Sequence, residues 1–235
     1  MTMLKPKGII TPIITPMNDD ESVNLSELRV QINRQIGCGI NGIFCLGTNG
    51  EVYALSSEEK LRIIETVVQE VNGRVPVYAG TGCIRTSDTI DLSLRAKSIG
   101  VDAISVVSPY YVAVSQDELH DYYCEIAEAV DLPIILYNIP ARTGNNIDYK
   151  TVKRLAQFQN VVGVKDSSGN FDNTLRYIES TDTRLSVLAG SDSLILWTLL
   201  AGGAGAIAGT ANVFPEIAVT IFKLWQEGKI EQAKA

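Results

Sequence analysis

The chain has 235 residues, of which 46% are hydrophobic and 20% are charged, proportions that are ordinary for a globular domain. Its formal net charge of −7 argues against nucleic acid and anionic membranes as partners. No apolar signal core and no membrane-length apolar run occurs, so we expect a cytoplasmic protein. Four scattered cysteines and a single histidine argue against zinc sites and histidine-based triads, so we expect no metal.

Strand-like and helix-like segments alternate from one end of the chain to the other. Short apolar runs rich in β-branched residues predict strands over 8–14, 42–46, 75–79, 102–107, 133–137, 161–165, 185–189 and 205–208. Helical periodicity, capping residues and glycine stops predict helices over 25–38, 56–71, 86–99, 116–130, 149–158 and 214–227. Two more are predicted with one boundary each: a helix that begins at about 173, and a helix that follows the strand 185–189 and ends at 201.

This alternation predicts the fold class. Strands that are apolar throughout fit a parallel sheet whose faces are covered by helices. Eight strand–helix units favour a closed (β/α)8 TIM barrel over an open doubly wound sheet, and the turn after the first strand lacks the glycine pattern of a dinucleotide site. We therefore expect a barrel catalytic domain over residues 1–227, followed over 228–235 by the start of a truncated C-terminal helical extension.

The residues that follow the strands indicate the chemistry, because barrel active sites lie at the C-terminal strand ends. Lys165 ends the apolar run 161–165, and strict alternation places it on one face with Val161 and Gly163, where the glycine leaves room beside it. An amine in such a poorly solvated place is favoured in its neutral, nucleophilic form, as a Schiff-base lysine requires. The alternative is a lysine that ends a strand and reaches water.

Three other positions accompany Lys165 at these strand ends. Tyr137 is expected to project into the barrel mouth, or else to be a core tyrosine. The turn 47–51 carries Thr48 among backbone N–H groups suited to a carboxylate, or is a plain loop. Arg142 either meets a substrate carboxylate or lies on the surface. An amine and a phenol, without a carboxylate cluster for a metal, indicate carbonyl chemistry through an imine.

Five short segments, taken in order, resemble the dihydrodipicolinate synthase / N-acetylneuraminate lyase family of Schiff-base-forming barrels. They are 47–51 (GTNGE), 108–111 (SPYY), 136–140 (LYNIP), 163–166 (GVKD) and 205–207 (GAI). The resemblance implies that Lys165 condenses with the keto carbon of pyruvate. It also implies that Thr48 and the Asn49 amide hold the pyruvate carboxylate, and that Ile207 contributes its backbone carbonyl.

The same resemblance implies roles for residues beyond the pyruvate site. Tyr137 would be the general acid/base. Tyr111 would reach into the site of a neighbouring subunit and join Tyr137 and Thr48 in a proton relay, while Arg142 would receive the carboxylate of aspartate semialdehyde. It therefore implies a homo-oligomer, a dimer or a tetramer. It implies no cofactor, because the protonated imine is itself the electron sink.

This chain departs from the family pattern at two places. The synthases usually have a second threonine where this chain has Asn49, and family members usually carry further C-terminal helices that follow the barrel.

Three hypotheses for the function remain. The first hypothesis is a synthase that condenses pyruvate with aspartate semialdehyde toward lysine. The second is a retro-aldol lyase that releases pyruvate from a 2-keto-3-deoxy sugar acid or an N-acetylneuraminate-like substrate. The third is a barrel that binds a 2-oxo acid without catalysis.

Overall fold

Parallel strands in chain order form the centre of the computed structural model, which describes residues 4–234. The strands are β1 Gly8–Pro12, β2 Gly42–Cys45, β3 Val77–Gly80, β4 Ala103–Val107, β5 Ile134–Asn138, β6 Val161–Asp166, β7 Ser186–Ala189 and β8 Gly205–Ile207. Each strand pairs with the next, and β8 pairs with β1, so that the sheet closes on itself. The predicted (β/α)8 barrel is confirmed.

Helices follow the strands and cover the outside of the barrel. They are α1 Leu25–Gly37, α2 Ser57–Val71, α3 Thr86–Ile99, α4 Gln116–Ala129, α5 Pro140–Thr143, α6 Tyr149–Leu155, α7 Phe171–Thr181, α8 Ile195–Leu200, α9 Pro215–Gln226 and α10 Ile230–Lys234. All eight predicted helices are present, but α6 ends three residues earlier than predicted, and the short helix α5 was not predicted. The division of the chain at residue 227 stays a prediction.

Local sequence accounts for the starts and ends of several helices. Ser56 caps α2 through a capping box with Glu59, in which the serine side chain accepts from the Glu59 N–H and the glutamate accepts from the Ser56 N–H. Ser115 and Glu118 form the same box at the start of α4. Gly100, with φ +106°, ends α3 in the left-handed region that favours glycine.

Two hydrophobic clusters hold the barrel together. The larger one lies between the strands and the surrounding helices. The smaller one fills the interior with one side chain from each strand: Ile10, Phe44, Tyr78, Ala103, Ile135, Val162, Leu188 and Ile207. Because these side chains close the barrel from below, any site must lie above them, at the C-terminal strand ends.

The expected alternation along residues 161–165 is wrong at its beginning. Val162 packs in the interior cluster, whereas Val161 and Val164 belong to the outer one. The cause is a register shift between β5 and β6, where Ile134 pairs with Val161 but Ile135 pairs with Gly163. The shift restores the predicted orientation by the end of the strand, so that Lys165 faces inward.

Gly163 is required for a different reason from the one expected. A Cβ at this position would lie 2.8 Å from the Ser186 carbonyl oxygen on β7, closer than real side chains approach. The glycine therefore allows β6 and β7 to pair closely two residues before Lys165.

No helix between residues 4 and 234 combines the length and apolar character that a membrane span requires. The four cysteines are free thiols. Cys45 is completely buried, and this burial raises the pKa of its thiol to about 12.

Candidate active site

The Lys165 amine lies inside the barrel mouth, at the C-terminal end of β6. Only 4% of the residue is exposed, and its Nζ lies 4.0 Å from the centroid of the Tyr137 ring and 5.3 Å from that of Phe44. The pairing of β5 with β6 sets Tyr137 beside Lys165, because register partners in parallel strands share a face. This burial excludes the alternative of a lysine that ends a strand and reaches water. The imine-forming role of Lys165 stays a prediction.

The Tyr137 hydroxyl faces the mouth and meets the Thr48 hydroxyl, with 3.2 Å between the two oxygens. Burial raises the pKa of the Tyr137 hydroxyl, but the Lys165 ammonium beside it acts in the opposite direction. Hydrogen bonds from Thr48, Lys165 and Ser167 add to the lowering, so that the pKa of this phenol lies below its ordinary 10.0. A phenol of lowered pKa gives up its proton more readily than an ordinary tyrosine, which suits it to exchanging protons with a reacting group.

A tight turn after β2 holds Thr48 against Tyr137. The Gly50 N–H donates to the Gly47 carbonyl at 3.1 Å, and the Glu51 N–H donates to the Thr48 carbonyl at 3.1 Å. The Thr15 hydroxyl ties this turn to the segment after β1 by donating to the Gly50 carbonyl at 2.7 Å. The position of the Thr48 hydroxyl is therefore set by backbone hydrogen bonds on both sides of it.

Asn49 extends toward a different part of the mouth. Its Nδ2 lies 3.0 Å from the place that a Cβ would occupy on Gly209, so a glycine there leaves space for the amide. Ile207, two residues before Gly209, ends β8, and its side chain belongs to the interior cluster. Thr48 thus faces Tyr137, while Asn49 lies over the end of β8.

These side chains meet around a cavity of about 350 Å³. Six of the seven predicted site residues line it: Thr48, Asn49, Tyr137, Arg142, Lys165 and Ile207. An adjoining cavity of about 490 Å³ shares Thr48, Asn49 and Arg142 with it, and extends outward past Tyr110 to Lys60. Cavities of this size suit small organic molecules.

Tyr111 is the predicted site residue that the structure places outside this cavity. The residue is 92% exposed, and its φ of +79° lies in a region that residues other than glycine rarely adopt. Its side chain therefore points away from its own barrel. That it reaches into a neighbouring subunit stays a prediction about the assembled protein.

The cavity is also lined by Ser167, Ser191 and Asp192, for which the sequence predicted no role. The Asp192 carboxylate accepts a hydrogen bond from the Thr210 N–H at 2.9 Å, which links the loops after β7 and β8. The rule that active-site residues follow barrel strands already pointed to these positions. It did not indicate which of their side chains turn inward.

Asp166, next to Lys165 in sequence, faces the opposite side of β6 and is buried. Its carboxylate accepts hydrogen bonds from Asn138 Nδ2 at 3.0 Å, Thr174 Oγ1 at 2.8 Å, Asn173 Nδ2 at 3.2 Å and the Ser168 N–H at 3.0 Å. These bonds fasten the end of β6 to β5 and to α7. Over residues 4–234 no three histidine, cysteine, aspartate or glutamate side chains cluster in a way that could hold a metal ion.

Comparison with known proteins places this geometry in a family. A family model described as "Dihydrodipicolinate synthetase family" matches residues 5–235. A curated relative, the 4-hydroxy-tetrahydrodipicolinate synthase of Methanopyrus kandleri, is 43% identical over 97% of this chain and 77% of its own length.

Two relatives from Escherichia coli K12 carry other names. One is the probable 2-dehydro-3-deoxy-D-pentonate aldolase YjhH, which is 38% identical over 98% of this chain and 78% of its own length. The other is YagE, a prophage protein of the dihydrodipicolinic acid synthase family whose structure was solved in complex with pyruvate. YagE superposes with a TM-score of 0.94 at 35% identity, over 97% of this chain and 78% of its own.

Proposed function

This chain belongs to the dihydrodipicolinate synthetase family, and on that premise we propose that it is a 4-hydroxy-tetrahydrodipicolinate synthase. It condenses pyruvate with L-aspartate 4-semialdehyde through a Schiff base on Lys165. The observation that carries the proposal is the buried Lys165 amine packed against Tyr137, whose hydroxyl meets that of Thr48. An amine nucleophile beside a phenol of lowered pKa supplies both groups that imine chemistry needs.

The reaction begins when the Lys165 ammonium passes a proton to the ionised Tyr137 hydroxyl and the resulting neutral amine adds to the keto carbon of pyruvate. The resulting carbinolamine loses its hydroxyl as water, with a proton supplied by Tyr137, and becomes a protonated imine. The imine draws electrons from the methyl carbon, which passes a proton to the ionised Tyr137 hydroxyl and becomes the enamine carbon. That carbon attacks the aldehyde carbon of the semialdehyde, whose oxygen takes up the proton held by Tyr137. The amino group of the semialdehyde then adds to the imine carbon, and the Lys165 amine leaves.

The other cavity residues are assigned to binding. The Thr48 hydroxyl and the Asn49 amide hold the pyruvate carboxylate, and the Ile207 carbonyl faces the same substrate. Arg142, which lines both adjoining cavities, receives the carboxylate of the semialdehyde, since a guanidinium binds carboxylates through two parallel hydrogen bonds.

The exposed Tyr111 supports a homo-oligomeric assembly. An almost fully exposed tyrosine on an unfavourable backbone conformation fits a side chain that completes the proton relay of a second copy. We assign the protein to a homo-oligomer, a dimer or a tetramer. Mixing Tyr111→Phe subunits with Lys165→Met subunits should then yield more activity than either variant has alone, because some mixed sites receive both intact residues.

A second candidate function is a retro-aldol lyase that releases pyruvate from a 2-keto-3-deoxy sugar acid. Ser167 favours it, since this serine lines the cavity and its hydroxyl lies against Gly190, where any side chain at residue 190 would collide with it. A hydroxyl at this place is suited to a hydrogen bond with a polyhydroxy substrate. The similarity to the probable aldolase YjhH also supports a retro-aldol lyase.

Borohydride trapping with pyruvate, read by intact and peptide mass, tests the proposal. We expect one reduced pyruvate adduct on the Lys165 peptide, no adduct in Lys165→Met, and a normal adduct in the control Lys60→Met, whose lysine lines the adjoining cavity. Consumption of pyruvate with the semialdehyde then supports the synthase, and release of pyruvate from a sugar acid supports the lyase. Folded protein that binds pyruvate without an adduct would overturn both, and would indicate a non-catalytic binding barrel.

A further inference from the structure

We propose that Asn145 is a positioning residue that fastens the loop carrying Tyr111 to the loop carrying Arg142. The tyrosine loop is defined as residues 108–115, between β4 and α4. The arginine loop is defined as residues 139–148, between β5 and α6, and includes the short helix α5 that carries Arg142. The proposal rests on the proposed function, because the roles of Tyr111 and Arg142 come from it. No contact of Asn145 with a substrate is involved.

Asn145 is only 4% exposed, and both polar atoms of its side-chain amide bond to the tyrosine loop. Its Nδ2 donates to the Pro109 carbonyl at 2.8 Å and to the Val112 carbonyl at 2.9 Å. Its Oδ1 accepts from the Val114 N–H at 2.9 Å. One side chain therefore binds three backbone groups that stand before and after Tyr111. An amide is suited to this because it both donates and accepts.

Thr143 makes a second connection between the same two loops. The Ser108 hydroxyl donates to Thr143 Oγ1 at 3.2 Å, at the start of the tyrosine loop. The Thr143 Oγ1 also accepts from the Asn145 N–H at 3.2 Å. Thr143 directly follows Arg142, so the arginine, Thr143 and Asn145 lie on one short stretch that is bonded to the tyrosine loop at both ends.

This arrangement explains what maintains the unusual conformation of Tyr111. A φ of +79° is unfavourable for a tyrosine and persists only where the surroundings impose it. The tyrosine side chain, at 92% exposure, has little packing within its own chain. The backbone on both sides of it is instead held by Asn145. The Asn145 amide therefore sets the direction in which the Tyr111 side chain points away from the barrel, and it fixes the position of Tyr111 relative to Arg142.

Asn145→Asp is the sharp test, because it keeps the shape and the acceptor oxygen but loses both hydrogen bonds that the amide donates to the tyrosine loop. It places a carboxylate against the Pro109 and Val112 carbonyls, so the tyrosine loop should detach locally. Asn146→Asp is the matched control: it introduces the same charge one residue later, at an exposed position, and keeps the oxygen that accepts from Asn138. Thr143→Val, which keeps the side-chain volume, breaks the second connection without a buried charge.

The readouts separate positioning from general damage. In Asn145→Asp we expect faster amide hydrogen exchange over 109–114, an unchanged pyruvate adduct on Lys165 and an unchanged KM for pyruvate. We expect kcat, and the rate at which the pyruvate methyl group exchanges protons for deuterium, to fall about 10- to 100-fold, since about 1 Å of misplacement costs up to about a hundredfold. Thr143→Val should lower both rates in the same way, and Asn146→Asp should leave them as in the wild type.

The outcomes distinguish this inference from the proposed function. A wild-type protein without a pyruvate adduct would refute the proposed function before Asn145 is tested. With the adduct present, normal kcat and methyl exchange in folded Asn145→Asp, despite faster amide exchange over 109–114, would overturn the positioning role. If Asn145→Asp does not fold, Thr143→Val decides, and wild-type rates in that variant would equally overturn it.

Discussion

Thr48→Val tests the hydrogen bond that joins the two hydroxyls of the site. Valine keeps the shape of threonine and removes the oxygen that lies 3.2 Å from the Tyr137 hydroxyl. This bond is one of the interactions that lower the pKa of Tyr137 against the effect of burial. Without it the pKa of Tyr137 rises, because burial and the Lys165 charge remain unchanged and one stabilising contact to the ionised phenol is lost.

The size of the effect follows from the geometry. A hydrogen bond to a charged group contributes about 1.5–3 kcal/mol, and an oxygen–oxygen distance of 3.2 Å is long for such a bond. We therefore take the lower end, about 1.5–2 kcal/mol, which corresponds to a loss of about 10- to 30-fold in kcat. The limb of the pH–rate profile that reports Tyr137 should move to higher pH, in the direction of its raised pKa.

The assay is steady-state condensation measured from about pH 6 to pH 10, with pyruvate trapping on Lys165 as a check that the barrel is intact. Thr48→Ser is the control, because it restores the hydroxyl and should recover most of kcat. A Thr48→Val protein with wild-type kcat and an unmoved pH profile would refute the proton-transfer role of this contact. A loss shared equally by Thr48→Ser would show that the methyl group, and not the hydroxyl, matters.

Three further perturbations address the surroundings of the site. Gly163→Ala places a Cβ 2.8 Å from the Ser186 carbonyl oxygen, so we expect a loss of about 1–3 kcal/mol in the free energy of unfolding, measured with urea. Asp166→Ala leaves four donors without their acceptor, of which Asn138 Nδ2 and Thr174 Oγ1 are buried, and we expect about 2–6 kcal/mol of destabilisation, or about 1–3 kcal/mol for each buried donor. The Cys45 thiol should resist thiol reagents in the folded protein, because its pKa is raised from 9.0 to about 12 by burial. Since the unfolded chain loses this proton at lower pH, Cys45 should make the free energy of unfolding fall as pH rises above 9.0.

Each of these expectations has its own contrary result. Gly37→Ala adds a Cβ with nothing within 4 Å and should not destabilise, so equal losses in Gly37→Ala and Gly163→Ala would remove the steric explanation. Asp166→Asn keeps one acceptor oxygen and should lose less stability than Asp166→Ala. Labelling of Cys45 as fast in native protein as in urea would contradict its burial.

Local sequence patterns determined much of this protein. Apolar runs and helical periodicity depend on neighbouring residues only, so they predicted eight strand–helix units and, through these, the closed barrel. The same reasoning placed Lys165 and Tyr137 at neighbouring strand ends. The helix α5 was missed because four residues are too few to show a period.

Tertiary structure decided which of these strand-end residues meet. The register shift between β5 and β6 turned Val162 inward and still set Lys165 beside Tyr137, and no pattern within the run 161–165 encodes that shift. The contact of Thr48 with Tyr137 spans 89 residues of sequence, and the bonds of Asn145 to the tyrosine loop reach back across at least 31. Such contacts depend on how distant strands and loops pair, whereas periodicity reports only which face of its own element a residue occupies.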